Sequence, residues 1–380
     1  MSKSVIIIGC GIAGPVLAML LKHTGIEPVI YECKTETEQA GLALGVTPQT
    51  FKVLNILGLA EKVVALGQSV EHFISYSELL GGTVLVERDT GSLFRRLGWP
   101  MVMLSRARDS HFLCDSAKGR GIPVHFNKTL IAVRQAGDRV TTVFEDGTTS
   151  EADLLVGCDG LHSAVRDFVL PGTDAAQYMG LVQIGGFTPT PDIFKASKPG
   201  TSRQIFGDGA HFMGMPINDS QMLWVTTFAE PDEARENWRR LSINDSSSKE
   251  MLSGLRAAGW GNGAKELIQG STFITKYGLY ERTMRDVWHK GRVVLVGDAA
   301  HPTSPHLGQG ANQAMEDCYH LVRLLCKAEP LEDESLEAAF TEYEHIRVPI
   351  VSLAVAGAKK EGENRVMSGE RHAKHVTREY

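Results

Sequence analysis

The sequence predicts an α/β fold in which a parallel sheet is interleaved with a smaller antiparallel sheet. Three apolar segments carry this prediction, because each indicates a buried strand that runs into a Gly-containing turn. The three turns lie at residues 9–14, 159–160 and 297–298. Between them, segments of alternating hydrophobicity near 70–90 and 180–285 predict antiparallel strands.

The composition limits the class of protein. The 380 residues are 43% hydrophobic, enough for a substantial core in one large or two intergrown domains. The net charge of −6 and the absence of basic blocks argue against nucleic acid as a partner. Six scattered cysteines without a C-x-x-C pair favour reduced thiols in a cytoplasmic enzyme over disulfides or a metal site. We expect no membrane span, since every apolar run is short, and the sequence does not define an oligomeric state.

The first element is a dinucleotide fingerprint in its required context. An apolar strand leads into the sequence GCGIAG, and a helical run follows. Gly9 permits the tight turn, Gly11 lets the backbone approach a pyrophosphate, and Gly14 allows close helix–strand packing. The next strand ends at Glu32, at the spacing expected for an acceptor of a ribose hydroxyl. We therefore expect a bound dinucleotide.

Two later strands also end close to a carboxylate, at Asp159 and Asp298. The segment after Asp298 opens a helix whose first N–H groups and dipole favour an electron-rich group. These N–H groups belong to the segment that contains Gly308, Gly310, Ala311 and Asn312. The alternative is an ordinary strand–turn–helix corner in which Asp298 is a helix N-cap.

The remaining elements follow from periodicity and turn residues. Before residue 150 we expect a small-residue loop, a helix, paired strands, a strand followed by a helix, and a meander, at 41–46, 48–57, 70–87, 99–119 and 122–145. After it we expect strands at 181–190, 202–217 and 221–228, helices at 233–257 and 263–269, a return to the first sheet at 287–296, and helices at 310–327 and 333–358. The chain thus leaves the parallel layer twice, which predicts two interleaved domains.

The three strand–turn–helix elements, in this order and spacing, resemble the single-component FAD-dependent aromatic hydroxylases. These are the flavoprotein monooxygenases typified by p-hydroxybenzoate and salicylate hydroxylases, and the chain length is similar to that of urate- and tetracycline-oxidising members. The resemblance covers roughly residues 4–355 and is weak between about 176 and 280. It implies a Rossmann-like FAD-binding domain, a substrate domain, and a C-terminal tail or helix. Their expected bounds are 1–70, 99–175 and 285–358 for the first, 71–98 and 176–284 for the second, and 359–380 for the third.

The resemblance also assigns an FAD site. The glycines and Glu32 would hold the adenosine half, Arg106 would reach the phosphate or ribityl region, and Asp298 would accept from ribityl hydroxyls. The helix start after Asp298 would lie at the pyrimidine edge of the flavin. The full set is Gly9, Gly11, Ile12, Ala13, Gly14, Glu32, Cys33, Gly45, Arg106, Leu130, Asp159, Asp298, Gly308, Gly310, Ala311 and Asn312.

Some of these assignments have alternatives. Arg106 could instead form an ion pair at the surface. The match at Arg106 also departs from the family pattern, because Asp109 occupies the position three residues later where the family has an apolar residue. Asp159 matches a position linked to both FAD and the nicotinamide nucleotide, but a buried contact with backbone or with Arg166 is an equal alternative. We expect Arg166 and His301 to be structural.

The function implied by the resemblance is that of an FAD-dependent monooxygenase. NAD(P)H would reduce FAD, O₂ would add at C4a, and the flavin hydroperoxide would oxygenate a small, electron-rich aromatic substrate. Hydroxylation is the expected outcome, with epoxidation or Baeyer–Villiger insertion as alternatives. The competing functions are a flavin reductase, oxidase or halogenase on the same fold, and a non-catalytic dinucleotide-binding protein. A halogenase lacks support, because none of the tryptophans forms a W-x-W pair.

The substrate pocket is predicted from the strands that should cover the flavin. Candidate contacts are Arg203, His211, Met213, Trp224 and His306. Alternation places His211, Met213 and Met215 on one face of the sheet. The sequence shows no carboxylate–histidine pair that would indicate a general base, so no catalytic residue is assigned. His301 and His306 have no third ligand at metal spacing, so we expect no metal.

Overall fold

The computed structural model describes residues 3–36, 41–233 and 240–368. Its strands fall into one parallel layer, one large antiparallel layer and two small sheets. In chain order they are β1 (Ser4–Ile8), β2 (Glu27–Tyr31), β3 (Ala43–Val46), β4 (Gln68–Ser69), β5 (His72–Ser77), β6 (Thr83–Asp89), β7 (Val102–Ser105), β8 (Val124–His125), β9 (Leu130–Ala136), β10 (Arg139–Phe144), β11 (Thr149–Ala152), β12 (Leu154–Gly157), β13 (Gln177–Pro189), β14 (Thr201–Gly207), β15 (Ala210–Asn218), β16 (Gln221–Ala229), β17 (Arg240–Ser242), β18 (Phe273–Glu281), β19 (His289–Lys290) and β20 (Val293–Leu295).

The helices lie between these strands and after them. In chain order they are α1 (Ala13–His23), α2 (Pro48–Ile56), α3 (Ala60–Leu66), α4 (Gly91–Leu97), α5 (Arg106–Lys118), α6 (Ala164–Val169), α7 (Asp192–Lys195), α8 (Ser246–Gly254), α9 (Ala264–Gln269), α10 (Gly310–Leu325) and α11 (Asp333–Arg365). Short 3₁₀ turns at Gly297–Ala299 and Pro305–Leu307 connect β20 to α10.

The parallel layer is a six-stranded sheet in the order β19-β20-β12-β1-β2-β8. All neighbouring pairs are parallel except β19 with β20 at one edge. Its central strands are apolar on both faces because helices cover both, and Val5, Ile6 and Ile7 are completely buried. The carboxyl ends of β1, β2, β12 and β20 meet at one edge, where the three predicted turns lie.

The antiparallel layer is an eight-stranded sheet in the order β17-β18-β13-β16-β15-β14-β5-β6, with β14 and β5 as a parallel pair. We call the side that carries Leu181, Met215 and Leu223 its front face, and the side that carries Val182 and Trp224 its back face. The front face packs against residues near β3 and β7, including Leu42 and Met103. The back face is covered by α7 and α9 through Phe194 and Leu267. The front face is therefore the side that packs against the small sheet of β3, β7 and β4.

The predicted fold class is confirmed, and three local predictions differ from the structure. The helix expected over 233–257 is interrupted, since β17 pairs with β18 and Leu241 packs on the back-face core, while 234–239 lie outside the described residues. The meander expected over 122–145 begins later, because β8 joins the parallel sheet and only β9, β10 and β11 form the meander. The helix expected to end at 358 continues to Arg365, and 369–380 lie outside the described residues. The two-domain division stays a prediction.

Candidate active site

The glycine-rich turn after β1 has the geometry that the fingerprint requires. Gly9 has a φ of 106°, which favours glycine, and its N–H donates to the carbonyl of Tyr31 at 2.8 Å. A Cβ at Gly14 would lie 2.0 Å from the Gly9 carbonyl oxygen, so α1 can approach the turn only without a side chain there. A Cβ at Gly11 would meet no atom within 4 Å. The open space at Gly11 is a backbone cradle that a ligand can approach.

Glu32 closes this turn from the neighbouring strand. Its carboxylate accepts from the backbone N–H of Cys10 at 2.6 Å and from that of Lys34 at 3.0 Å. These two bonds fix the orientation of the half-buried carboxylate beside the cradle. Its remaining lone pairs can accept from the hydroxyls of a ribose.

A cavity of about 480 Å³ opens along this edge of the parallel sheet. Half of the predicted cofactor residues line it, namely Gly9, Gly11, Ile12, Glu32, Cys33, Arg106, Leu130 and Asp159. Ala13 and Gly14 lie directly behind the lining, in the first turn of α1. The predicted adenosine-side residues are therefore brought together.

Sequence reasoning missed one wall of this cavity. Ser110 and Cys114 line it together with Arg106, since residues spaced by four share one face of α5. That spacing was a usable signal once Arg106 had been placed. Cys10 and Cys158, which follow the ends of β1 and β12, line it as well.

Asp159 lies at the cavity edge with its carboxylate tied to the start of α6. The side chain of Ser163 and the backbone N–H of Val165 donate to it. Burial raises the pKa of Asp159 to about 6, against the opposing effect of these hydrogen bonds. Arg166 instead donates to the carbonyl oxygens of Ala299, Ala300 and Thr283, so of the two structural alternatives for Asp159 the contact with backbone is present and the contact with Arg166 is wrong.

The start of α10 forms a second group of predicted residues. The first backbone bond of the helix runs from Gln313 N–H to the Gln309 carbonyl, which leaves the N–H groups of Gly310, Ala311 and Asn312 without intrahelical acceptors. A carboxylate oxygen of Asp298 lies 3.6 Å from the position of a Cβ on Gly310. The N-cap of α10 is Gln309, so the N-cap alternative for Asp298 is wrong.

Asn312 also has a structural task that the sequence did not reveal. Its buried side-chain oxygen accepts from Thr50 Oγ1 at 2.6 Å and from the Thr47 backbone N–H at 3.0 Å. Its amide group donates to the carbonyls of Gly45 and Gly308, both at 2.8 Å. Asn312 therefore joins the start of α10 to the small-residue segment, and only its backbone is left to face a ligand.

A buried charge cluster fixes the turn after β20. Asp317 accepts from His301 Nε2 and from Arg347 Nε, each at 2.6 Å, and from the Gly297 backbone N–H at 3.0 Å. Burial alone would raise the pKa of Asp317, but the charges and hydrogen bonds of His301 and Arg347 hold it below its usual value. His301 is structural, as expected, and its contact with Asp317, which Arg347 of α11 also binds, carried no sequence signal.

His306 lies in the 3₁₀ turn before α10, under the end of α11. Its Nδ1 is 3.0 Å from Ser304 Oγ, and its Nε2 has no hydrogen-bond partner among the described residues. A Cβ on Gly362 would touch the ring at 2.7 Å, so a glycine is needed at this contact. Burial, assisted by the charge of Arg365, lowers the pKa of His306 to about 3. The ring is therefore neutral at physiological pH.

The front face of the antiparallel sheet carries His211, Met213 and Met215, as alternation predicted. His211 lies 3.3 Å from Gln204 Oε1, whose amide group donates to Ser75. In the same row of the sheet, Tyr277 donates to Gln183 at 2.5 Å and Gln183 donates to Thr227 at 2.9 Å. The front face is thus lined with buried polar groups that pair with each other.

Arg203 and Trp224 lie on the back face, which corrects their placement beside a flavin. Arg203 donates to the Asn262 carbonyl at 3.0 Å and stacks on the Phe194 ring. Trp224 is completely buried and donates to Ser271 Oγ at 2.8 Å. Adjacent residues of a strand face opposite sides, and the register puts these two with the helices that cover the sheet.

Two arginines link the front face to the cofactor-side residues. Arg106, in the cavity wall, is close enough to Tyr277 for its charge to oppose the effect of burial, which raises the Tyr277 pKa. Arg365, at the end of α11, contacts Met213 Sδ at 3.7 Å and pairs with Glu361 at 2.9 Å. His306, Met213 and Arg365 therefore lie together between α11 and the sheet.

The described residues contain no group of three or more His, Cys, Asp or Glu side chains arranged to hold a metal ion. Among the same residues, no helix has the length and hydropathy of a membrane span.

Comparison with known proteins agrees with this geometry. The model of the FAD binding domain family matches residues 2–358. An FAD-dependent urate hydroxylase of Mycolicibacterium vanbaalenii is 31% identical, over 94% of this chain and 87% of its own length. A 3-amino-4-hydroxybenzoate 2-monooxygenase of Streptomyces cremeus is 30% identical, over 90% of this chain and 82% of its own.

A solved structure shows the same fold with its cofactor. Klebsiella pneumoniae HpxO, complexed with FAD and uric acid, superimposes with a TM-score of 0.84 at 25% identity, over 99% of this chain and 90% of that one. Together with the matched family model and the glycine cradle, these likenesses settle the class of the protein. The chain belongs to the FAD-dependent aromatic hydroxylase family and is an FAD-dependent oxidoreductase.

Proposed function

We propose that this protein is a monooxygenase that uses NAD(P)H and O₂ to add one oxygen atom to a small, electron-rich aromatic substrate, with hydroxylation as the outcome. The observation that supports it most directly is that Arg106 lies in the wall of the dinucleotide cavity and also close enough to Tyr277, on the polar front face, for its charge to act on that side chain. When bound, FAD supplies the hydride acceptance and oxygen activation, and the protein supplies binding, orientation and charge.

The residues present fit FAD. The cavity at Gly11 and Glu32 would take the adenosine and pyrophosphate, with Arg106 on the phosphate side. Asp298 would accept from ribityl hydroxyls, and the N–H groups at the start of α10 would stabilise the pyrimidine edge. Negative charge that develops at this edge on reduction would be stabilised by roughly 0.3–2 kcal/mol by the helix N-terminus. The role of these residues is thus to tune the cofactor as well as to bind it.

The substrate lies, in this proposal, between the flavin and the front face. His211 and Met213 lie on the same face of β15, and Met213 and His306 both lie beside Arg365, so we infer that all three side chains line the substrate space. The neutral His306 can share a hydrogen bond with a phenol or ring N–H at Nε2, which has no hydrogen-bond partner among the described residues, but a pKa of about 3 makes the ring too weak a base to take the proton. The substrates named for the relatives, urate and an aminohydroxybenzoate, are aromatic compounds of this size and polarity.

The test is a substrate screen on the purified holoprotein. Phenolic and heteroaromatic compounds are tested for faster NADH and NADPH oxidation, with oxygen uptake and product mass measured in parallel. A yellow protein whose NAD(P)H oxidation is stimulated, and whose product gains one oxygen atom, supports the proposal. NAD(P)H oxidation without oxygen uptake would instead indicate a reductase, and bound FAD with no NAD(P)H oxidation would indicate a non-catalytic binder.

A further inference from the structure

The end of α11 is held against the front face of the antiparallel sheet. Just after the helix, the carbonyl of Met367 accepts from the backbone N–H of Gly209 at 2.9 Å, in the turn between β14 and β15. Val366 packs against the front-face core, as Met213 of β15 does. These contacts fix the last turn of α11 over β15, so its inward side chains stand beside the candidate substrate space.

Arg365 is the inward side chain of that last turn. Only 8% of the residue is exposed, and its Nη1 lies 3.7 Å from Met213 Sδ. Its Nε donates to the half-buried carboxylate of Glu361, one turn earlier, at 2.9 Å. One part of the guanidinium group is therefore bound to a carboxylate while another part contacts a thioether. A thioether is a weak acceptor, and a second carboxylate in its place would be a much stronger partner for a charged donor.

Arg365 shares this space with His306. Gly362 lies three residues before Arg365, on the same face of α11. A Cβ on Gly362 would lie 2.7 Å from the His306 ring, so the helix passes directly over that ring. Burial lowers the pKa of His306 to about 3, so His306 is neutral and Arg365 carries the positive charge of this group. Met213 completes the group with a thioether, which packs favourably on aromatic rings.

We propose that Arg365 binds a carboxylate group of the aromatic substrate and thereby selects aromatic acids over neutral aromatic compounds of the same shape. The inference rests on the proposed function, which places the substrate between the flavin and the front face. The planar guanidinium group presents N–H donors in the geometry that a carboxylate accepts. The aromatic ring would then lie on Met213, with a ring substituent at His306 Nε2. The alternative is a structural ion pair of Arg365 with Glu361 at the C-terminal end of a helix.

The experiment measures ligand binding to the FAD-loaded protein without turnover. Aromatic acids and their carboxamides are titrated in pairs, namely benzoate with benzamide, 4-hydroxybenzoate with 4-hydroxybenzamide, and anthranilate with anthranilamide. The change in flavin absorbance gives each dissociation constant. We expect at least one acid to bind about tenfold or more tightly than its amide. In Arg365→Gln that acid should lose about 10–100-fold of its affinity, while the amide keeps its own.

Two further variants make the result specific. Arg365→Lys keeps the charge but not the planar donors, so its affinity for the acid should lie between those of wild type and Arg365→Gln. Arg256→Gln is the matched control, because Arg256 is an exposed cation that donates to the Asp208 carbonyl at the same β14–β15 turn. It should leave the affinities for acids and amides unchanged. If Arg365→Gln does not fold, the ratio of acid to amide affinity in Arg365→Lys decides the same point.

The outcomes separate this inference from the proposed function. Equal losses for acid and amide in Arg365→Gln, or no acid that binds more tightly than its amide, would overturn the role of Arg365. A protein of this second kind that still hydroxylates a neutral aromatic compound keeps the proposed function. Conversely, acid binding that depends on Arg365, without oxygen transfer to any aromatic compound, supports the binding site and contradicts the proposed function.

Discussion

The dinucleotide cavity and the front face of the antiparallel sheet contrast in how strongly the sequence specifies them. In the cavity, backbone geometry selects the residue type: Gly9 needs a positive φ, and Gly14 needs the absence of a Cβ. On the sheet, His211 and Phe212 are neighbours in sequence but face opposite sides. Only the pairing of β15 with β14 and β16 decides which of the two side chains lies on the front face. A site built on backbone shape is visible in the sequence, whereas a site built on strand register is not.

The strongest test of the cavity substitutes its glycines with alanine. In Gly14→Ala, a methyl group would lie 2.0 Å from the Gly9 carbonyl oxygen, so α1 must move away from β1. We expect a loss of more than about 4 kcal/mol of unfolding free energy, or failure to fold, measured by thermal denaturation. Gly11→Ala is the matched control, because its methyl group meets no protein atom within 4 Å. Gly11→Ala should fold normally and lose FAD affinity. Equal destabilisation by Gly11→Ala and Gly14→Ala would contradict the different roles assigned to these two glycines.

The sheet is tested by a large substitution on each face. Trp224→Ala removes a completely buried side chain from the back face and leaves Ser271 Oγ without its donor. We expect a loss of about 3–5 kcal/mol of unfolding free energy, measured by denaturant titration. On the front face, Met213→Leu should change stability by less than about 1.5 kcal/mol while raising the KM for the aromatic substrate. A KM change from a milder back-face variant, Trp224→Phe, at normal stability would show that the faces are assigned wrongly.

These two regions also mark how far sequence reasoning reached. The fingerprint from Gly9 to Glu32 could be predicted with its roles, because each residue type is tied to a local backbone requirement. Arg203 and Trp224 were misplaced because their side depends on long-range pairing and on which helices cover the sheet. Likewise, the residues next to Asp317 in the sequence do not predict its contact with Arg347, which comes from the next helix. Contacts set by tertiary packing carry no signal in a single sequence.

Asp109 is a departure from the family pattern that the structure makes testable. It is buried on the same side of α5 as Leu113, and neither carboxylate oxygen has a hydrogen-bond partner among the described residues. Burial raises its pKa from 3.8 to about 7, so the native state binds the proton more tightly than the unfolded chain. The contribution of this protonation to the unfolding free energy is therefore fully present below about pH 4. It decreases as the pH rises from about 4 and is lost once the pH passes about 7.

Asp109→Leu should remove this dependence. Between pH 5 and pH 8 we expect the wild-type unfolding free energy to fall by roughly 2–4 kcal/mol relative to the variant, at about 1.4 kcal/mol per pH unit in the steep part. The measurement is denaturant unfolding at several pH values, with Asp115→Leu, on the same helix, as the control. Parallel stability curves for Asp109→Leu and wild type would show that the carboxylate is ionised and satisfied in the native state.

His306 links the two regions, since it lies in the turn before α10 and faces the front sheet through Met213 and Arg365. Because burial lowers its pKa to about 3, it should stay neutral above about pH 5, and kcat/KM should show no ionisation near 6.5 that belongs to it. His306→Asn keeps a hydrogen-bonding atom near Ser304 but removes Nε2 and its hydrogen bond to the substrate, so we expect kcat/KM to fall by about 10–100-fold with FAD still bound. The exposed His23, changed to Asn, should leave kcat/KM as it is. An inflection near pH 6.5 in wild type that disappears in His306→Asn would mean that the ring is solvated and protonated, which would place it outside the buried space between flavin and sheet.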